Sequence, residues 1–210
     1  IATSMRDELG ERARGIVATF ASSIEPLDAQ AKHLLALASR CAPGTAIPEA
    51  LLARAFGAED EDVFDSALRA LARASLLSRR QDDGHWQIHG LVAQAALSLL
   101  TPDAEALDAA LADALLEQLA VIGSDASQAR GLGADAVQAE HVVERHRNQT
   151  GVRLLLRLGQ CHAGRGQFGF AQATVRQALA LATEVLDEEH PETLTSMSNL
   201  AGTLRAQGDL

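Results

Sequence analysis

The chain has 210 residues, 47% of them apolar, 22% charged and 3% aromatic, a composition that excludes a disordered tail and leaves room for one or two domains with a buried core. A formal charge of −10 argues against DNA and against anionic membranes as partners, because the field of the molecule repels phosphates. No apolar run reaches the roughly 18 residues of a membrane span, and two cysteines, Cys41 and Cys161, sit in apolar helical patterns that suit buried free thiols.

Residues 5–24 are expected to be helical, up to Ile24-Glu25-Pro26, where the residue before proline is pushed out of the helical region. Leu27, Ala31, Leu34, Leu35 and Ala38 recur at helical spacing and predict a helix from Leu27 to Cys41, ended by Ala42-Pro43-Gly44-Thr45. A second short helix is predicted from Ile47 to Phe56, with Pro48 tolerated in its first turn. A third runs from Asp60 to Ala74 and buries Val63, Phe64, Ala67, Leu68 and Leu71. The period then changes. Leu76 to Arg80 leads into Gln81-Asp82-Asp83-Gly84, a hairpin turn signal, and His85 to His89 alternates as a strand. Leu91 to Leu100 returns to helix. Three helices, a hairpin and a helix are the order of a winged helix, expected over residues 25–100, with residues 1–24 as the end of a preceding helical segment.

Helices are predicted over residues 103–122 and 135–148, with a loop from Gly123 to Gly133, so that residues 101–149 form a helical linker or a degenerate repeat. Residues 150–210 contain an internal repeat: Leu158-Gly159 and Leu200-Ala201 are 42 apart, as are Gly166 and Gly208. With Ala171, Val175 and Ala178 at helical spacing, this segment resembles a tetratricopeptide repeat in which His162 and Val175 replace the usual aromatics. The period and the intervening His190-Pro191-Glu192-Thr193 are similar to the long repeats of kinesin light chains. The expected fold is mainly α: a winged helix followed by an α-solenoid of such hairpins. The resemblance implies a groove lined by the first helix of each repeat, with Arg153, Gln160, Ser198, Asn199 and Arg205 facing a protein or peptide ligand. Kinesin-light-chain repeats carry an asparagine pair where this chain has Ser198-Asn199, and only Asn199 matches.

A winged helix generically places its third helix in a DNA groove. Here that helix opens with Glu59-Asp60-Glu61-Asp62, followed by Asp65, and Arg79 and Arg80 are the basic cluster nearby. The charge opposes nucleic acid as a partner. Residues 25–100 instead resemble the winged-helix domain of NB-ARC-type signalling ATPases of the STAND class. Their methionine-histidine-aspartate motif aligns with Ile88-His89-Gly90, followed by Leu91-Val92. The resemblance implies that His89 contacts the β-phosphate of ADP held by a neighbouring nucleotide-binding domain of the same protein. Gly90 stands where the family has the aspartate that orders the histidine's loop. No Gly-x-x-x-x-Gly-Lys loop occurs, and the lone lysine, Lys32, lies inside a helix.

The chain is therefore expected to be a non-enzymatic regulatory piece of a longer cytoplasmic protein. It starts at Ile1 without an initiator methionine, and the ATPase core is expected N-terminal to it. ADP or ATP belongs to the full-length protein, with no cofactor in this fragment and with assembly on activation. Two alternatives stand beside this: an interaction scaffold without nucleotide control, and a DNA-binding regulator. Trp86 on the wing reads as local packing or as an interdomain contact. His141 and His146, five apart, do not share a helical face, so no metal site is expected.

Overall fold

The computed structural model describes residues 15, 18–58, 60–100, 103–120 and 126–207. Glu59, most of the helix expected over residues 5–24, Thr101-Pro102, residues 121–125 and Gly208 lie outside the described residues. The chain is mainly helical and divides into two compact units, Ile1–Leu107 and Asp108–Leu210.

In the first unit, residues 18–24 are helical. Helix α1 spans Ala29–Ala38, and its start is fixed by Asp28, whose carboxylate accepts the Ala31 N–H at 2.7 Å. This cap, and not the apolar Leu27, sets the first turn. The stripe Ala31, Leu34, Leu35 and Ala38 is fully buried. Each such leucine contributes roughly 1.5–3 kcal/mol of hydrophobic burial. Helix α2 spans Glu49–Phe56, two residues later than the sequence suggests. Ile47 is withdrawn from it because its N–H and C=O both pair with Trp86, at 2.7 and 2.9 Å. Helix α3 spans Glu61–Arg73, is capped by Asp60 through the Asp62 N–H at 2.9 Å, and buries Phe64, Ala67, Leu68 and Leu71.

Strands β1, Ser78–Arg79, and β2, Trp86–Gln87, pair antiparallel with Arg79 opposite Trp86. The expected strand from His85 to His89 is thus shorter. The His85 N–H turns to the Asp83 carboxylate at 3.0 Å, and His89 caps the next helix. Gly84, at φ +71°, supplies the left-handed residue that closes the turn. The Gly44 N–H, donating to the Ile88 carbonyl at 2.8 Å, and the Ile47–Trp86 bridge tie the turn before α2 to the hairpin. Helix α4 spans Gly90–Leu99. The order in space is thus three helices, a hairpin and a helix.

The unit boundary at Leu107/Asp108 falls within helix α5, Ala104–Ala120, whose start Asp103 caps through the Glu105 and Ala106 N–H groups. The segment Gly123 to Gly133, expected as a loop, is corrected. Ala126–Gly131 forms helix α6, and Gly133 opens helix α7, Gly133–Val143. Ala129 is buried, and its carbonyl receives the Cys161 thiol at 3.9 Å, so packing against the helix that carries Cys161 holds α6 despite its weak sequence pattern. The helix expected over residues 135–148 ends at Val143, because the chain turns back to let Asn148 cap the next element. The His146 ring is buried and lies 3.2 Å from the Asp108 carbonyl, which pins that turn.

Helices α8, Gln149–Gly164, α9, Phe168–Val185, and α10, Pro191–Gln207, follow. The starts of α8 and α10 are 42 residues apart, as in the sequence repeat. Val152, Leu155 and Leu156 of α8 form a core with Ala178, Leu181 and Ala182 of α9. Gly159 lets the helices approach, since a Cβ there would lie 2.6 Å from Val175 Cγ2. Among the described residues no helix is long and apolar enough to cross a membrane.

Candidate functional site

The 42-residue register gives Arg153, Arg157 and Gln160 of α8 the same repeat positions as Thr195, Asn199 and Gly202 of α10. Two cavities open along these positions. A larger one, about 460 Å³, is lined by Leu116, Arg153, Leu156, Arg157, Gln160, Glu192 and Thr195. A smaller one, about 220 Å³, is lined by Gly159, Gln160, Ala163, Phe168, Val175, Ser198, Asn199, Gly202 and Thr203. They meet at Gln160. The structure therefore brings together Arg153, Gln160, Ser198 and Asn199 of the predicted residues. Arg205 is exposed in the last turn of α10 and lines neither cavity.

The polar groups of the groove are unevenly matched. Glu192 accepts from Arg153 Nε at 2.6 Å and from Gln149 Nε2 at 2.8 Å, so its carboxylate is consumed by a clamp from α8 to α10. His190 joins the clamp. Its Nδ1 lies 3.2 Å from the Glu192 N–H and 2.9 Å from Glu192 Oε2; it accepts the first when neutral and donates to the second when protonated. Arg157 donates to Gln160 Oε1 at 3.2 Å, and Asn199 Nδ2 is a buried donor without a hydrogen-bond partner. Arg157 and Glu192 escaped sequence reasoning. The signal for Arg157 was its 42-residue register with Asn199. Glu192 reads in sequence as an ordinary first-turn acid.

Burial alone would push the Glu192 carboxyl up, but hydrogen bonds from Arg153 and Gln149 and the charges of Arg153 and His190 outweigh it and hold the carboxyl below its ordinary 4.5. A folded-state pKa below the unfolded one adds stability that is complete above about 4.5 and is lost as pH falls through the depressed value. Glu192→Gln is expected to cost about 1–2 kcal/mol near neutral pH, in urea unfolding followed by circular dichroism. The difference from the parent chain should close on acidification below 4.5. A gap that stays constant with pH contradicts the clamp.

In the first unit, His89 is exposed and caps α4: its Nδ1 accepts the Leu91 N–H at 3.2 Å. The hairpin arginines are engaged locally. Arg80 pairs with Asp82 and Asp83, while Arg79 donates to the Gly84 carbonyl and stacks over Trp86 at 5.7 Å. Cys41 and Cys161 are buried thiols outside any disulfide, and burial pushes the Cys161 thiol up, away from the reactive thiolate.

The sequence model of the tetratricopeptide repeat matches residues 152–210. No curated protein and no solved structure matches the chain. Residues 152–210 thus match a repeat of the kind that serves as a protein-interaction scaffold.

Proposed function

We propose that this scaffold holds an extended, acceptor-rich peptide of a partner protein along the face shared by α8 and α10. The observation that carries the reading is the surplus of donors in the groove. Glu192 is consumed, while Arg157 has N–H groups beyond its bond to Gln160 and Asn199 Nδ2 is unpaired. A helical ligand has spent its carbonyls internally, whereas an extended one presents them. Linear peptides selected from a random library on the full chain should lose about tenfold or more in affinity on Arg157→Glu with Asn199→Ala. Selected peptides that bind this variant as tightly as the parent chain sink the reading.

A second reading concerns the first unit: a winged helix that restrains the ADP state of a nucleotide-binding domain in a STAND-type ATPase. What supports it is the tautomer of His89. Because Nδ1 accepts the Leu91 N–H, the neutral ring carries its proton on Nε2, and the ring is exposed. An outward N–H is the donor that a phosphate oxygen takes up. A Cβ at Gly90 would meet Pro43 Cβ at 3.8 Å, an ordinary contact, so a side chain can begin there without displacing its neighbour. In the full-length protein, His89→Ala should speed ADP release about tenfold, the loss of one charge-assisted hydrogen bond. Unchanged release removes His89 from the mechanism.

A further inference from the structure

Gly202 of α10 holds the repeat position that Gln160 holds on α8. It lies inside α10, its φ is not positive, and a Cβ built on it meets nothing within 4 Å. Neither backbone conformation nor close approach requires glycine there, although glycine inside a helix is destabilising relative to alanine. Gly202 does line the smaller cavity, of about 220 Å³. Gly159, Ala163, Phe168 and Val175 give that cavity apolar walls, and Phe168 keeps 40% of its surface exposed. Among the described residues no charged side chain lines it. The Thr203 hydroxyl at its edge is spent on the Asn199 carbonyl at 2.8 Å, whereas Asn199 Nδ2 is the donor without an acceptor.

We propose that this cavity is a side-chain subsite of the peptide groove, that it takes one apolar side chain of leucine to phenylalanine size, and that Gly202 sets its selectivity by leaving it open. The inference rests on the peptide reading above and names the residue the groove selects. The size follows from the volume: a cavity of about 150 Å³ already holds a benzene-sized group. The chemistry follows from the walls, since a charged side chain would lose its water there and find no opposite charge. The subsite lies beside the backbone contact. Asn199 lines the same cavity, so an extended strand that gives a carbonyl to its Nδ2 brings an adjacent side chain to the opening. A large residue at position 202 enters the same space and competes with the peptide.

The tightest linear peptide selected from a random library on the full chain tests this, scanned with alanine against the parent and against Gly202→Leu by fluorescence anisotropy. On the parent, alanine in place of one large apolar residue should cost about tenfold or more. On Gly202→Leu the unscanned peptide should bind about tenfold weaker, and that same alanine replacement should cost less than about threefold. The alanine peptide should bind both chains within about threefold, which shows that the variant is folded. Equal alanine losses on both chains, or loss of the alanine peptide as well on Gly202→Leu, overturn the subsite. So does a peptide that Arg157→Glu with Asn199→Ala weakens and Gly202→Leu does not; the peptide reading then stands alone. A library without binders, or binders indifferent to both variants, overturns the subsite and the peptide reading together.

Discussion

Gly151→Ala is expected to lower the stability of the unit Asp108–Leu210 by about 3 kcal/mol or more, the upper end of overpacking effects. Gly151 lies in the first turn of α8, and its N–H is taken by the Asn148 side chain at 3.1 Å. The chain reaches that cap from α7 through a turn that presses the His146 carbonyl onto Gly151. A Cβ there would overlap this oxygen and reach Leu181 Cδ2 at 3.2 Å. Neither side can yield cheaply. The carbonyl is backbone, the His146 ring is fixed at the Asp108 carbonyl, and Leu181 belongs to the α8–α9 core. The sign is what makes the test sharp, since glycine to alanine inside a helix ordinarily stabilises by up to about 1 kcal/mol. Urea unfolding followed by circular dichroism reads it, and a variant as stable as the parent would refute this packing.

Trp86→Ala is expected to cost the first unit about 3–5 kcal/mol. The ring is buried, its Nε1–H donates to Glu49 at 2.8 Å, and Arg79 lies over its face. Its backbone ties Ile47 to the hairpin. Trp86→Phe keeps most of the apolar volume and removes the indole donor, so about 1–2 kcal/mol is expected there. As Trp86 is the sole tryptophan, hydrogen exchange in α2 and the hairpin is the suitable readout. Unchanged protection in Trp86→Ala would mean that the ring does not hold this unit together.

Elements whose signals are local were legible in the sequence. The stripes of α1 and α3 and the Asp83-Gly84 turn emerged, with the helix starts shifted by a residue or two and set by the caps Asp28 and Asp60. Elements set by distant partners were not. Ile47 reads as the first apolar residue of a helix, yet a strand partner far along the chain claims its backbone. Residues 126–131, between glycines, read as loop, yet contact with α8 makes them helical. The cavity-lining residues divide in the same way. Gln160, Ser198 and Asn199, expected from the resemblance to kinesin light chains, line the cavities beside α10, whereas the place of Glu192 depends on Arg153 reaching across from another helix. Arg153 was expected to face a ligand, and it also belongs to that clamp.

Two of the described helices begin on a histidine rather than on an aspartate or asparagine, and the two are buttressed differently. At α10, His190 Nδ1 lies 3.2 Å from the Glu192 backbone nitrogen and 2.9 Å from the Glu192 carboxylate. At α4, the exposed His89 ring meets the Leu91 N–H through Nδ1. The start of α10 is thus tied to a carboxylate as well as to a ring nitrogen, while the start of α4 hangs on one lone pair. Selective ring-nitrogen labelling of these two histidines would display that asymmetry without any ligand.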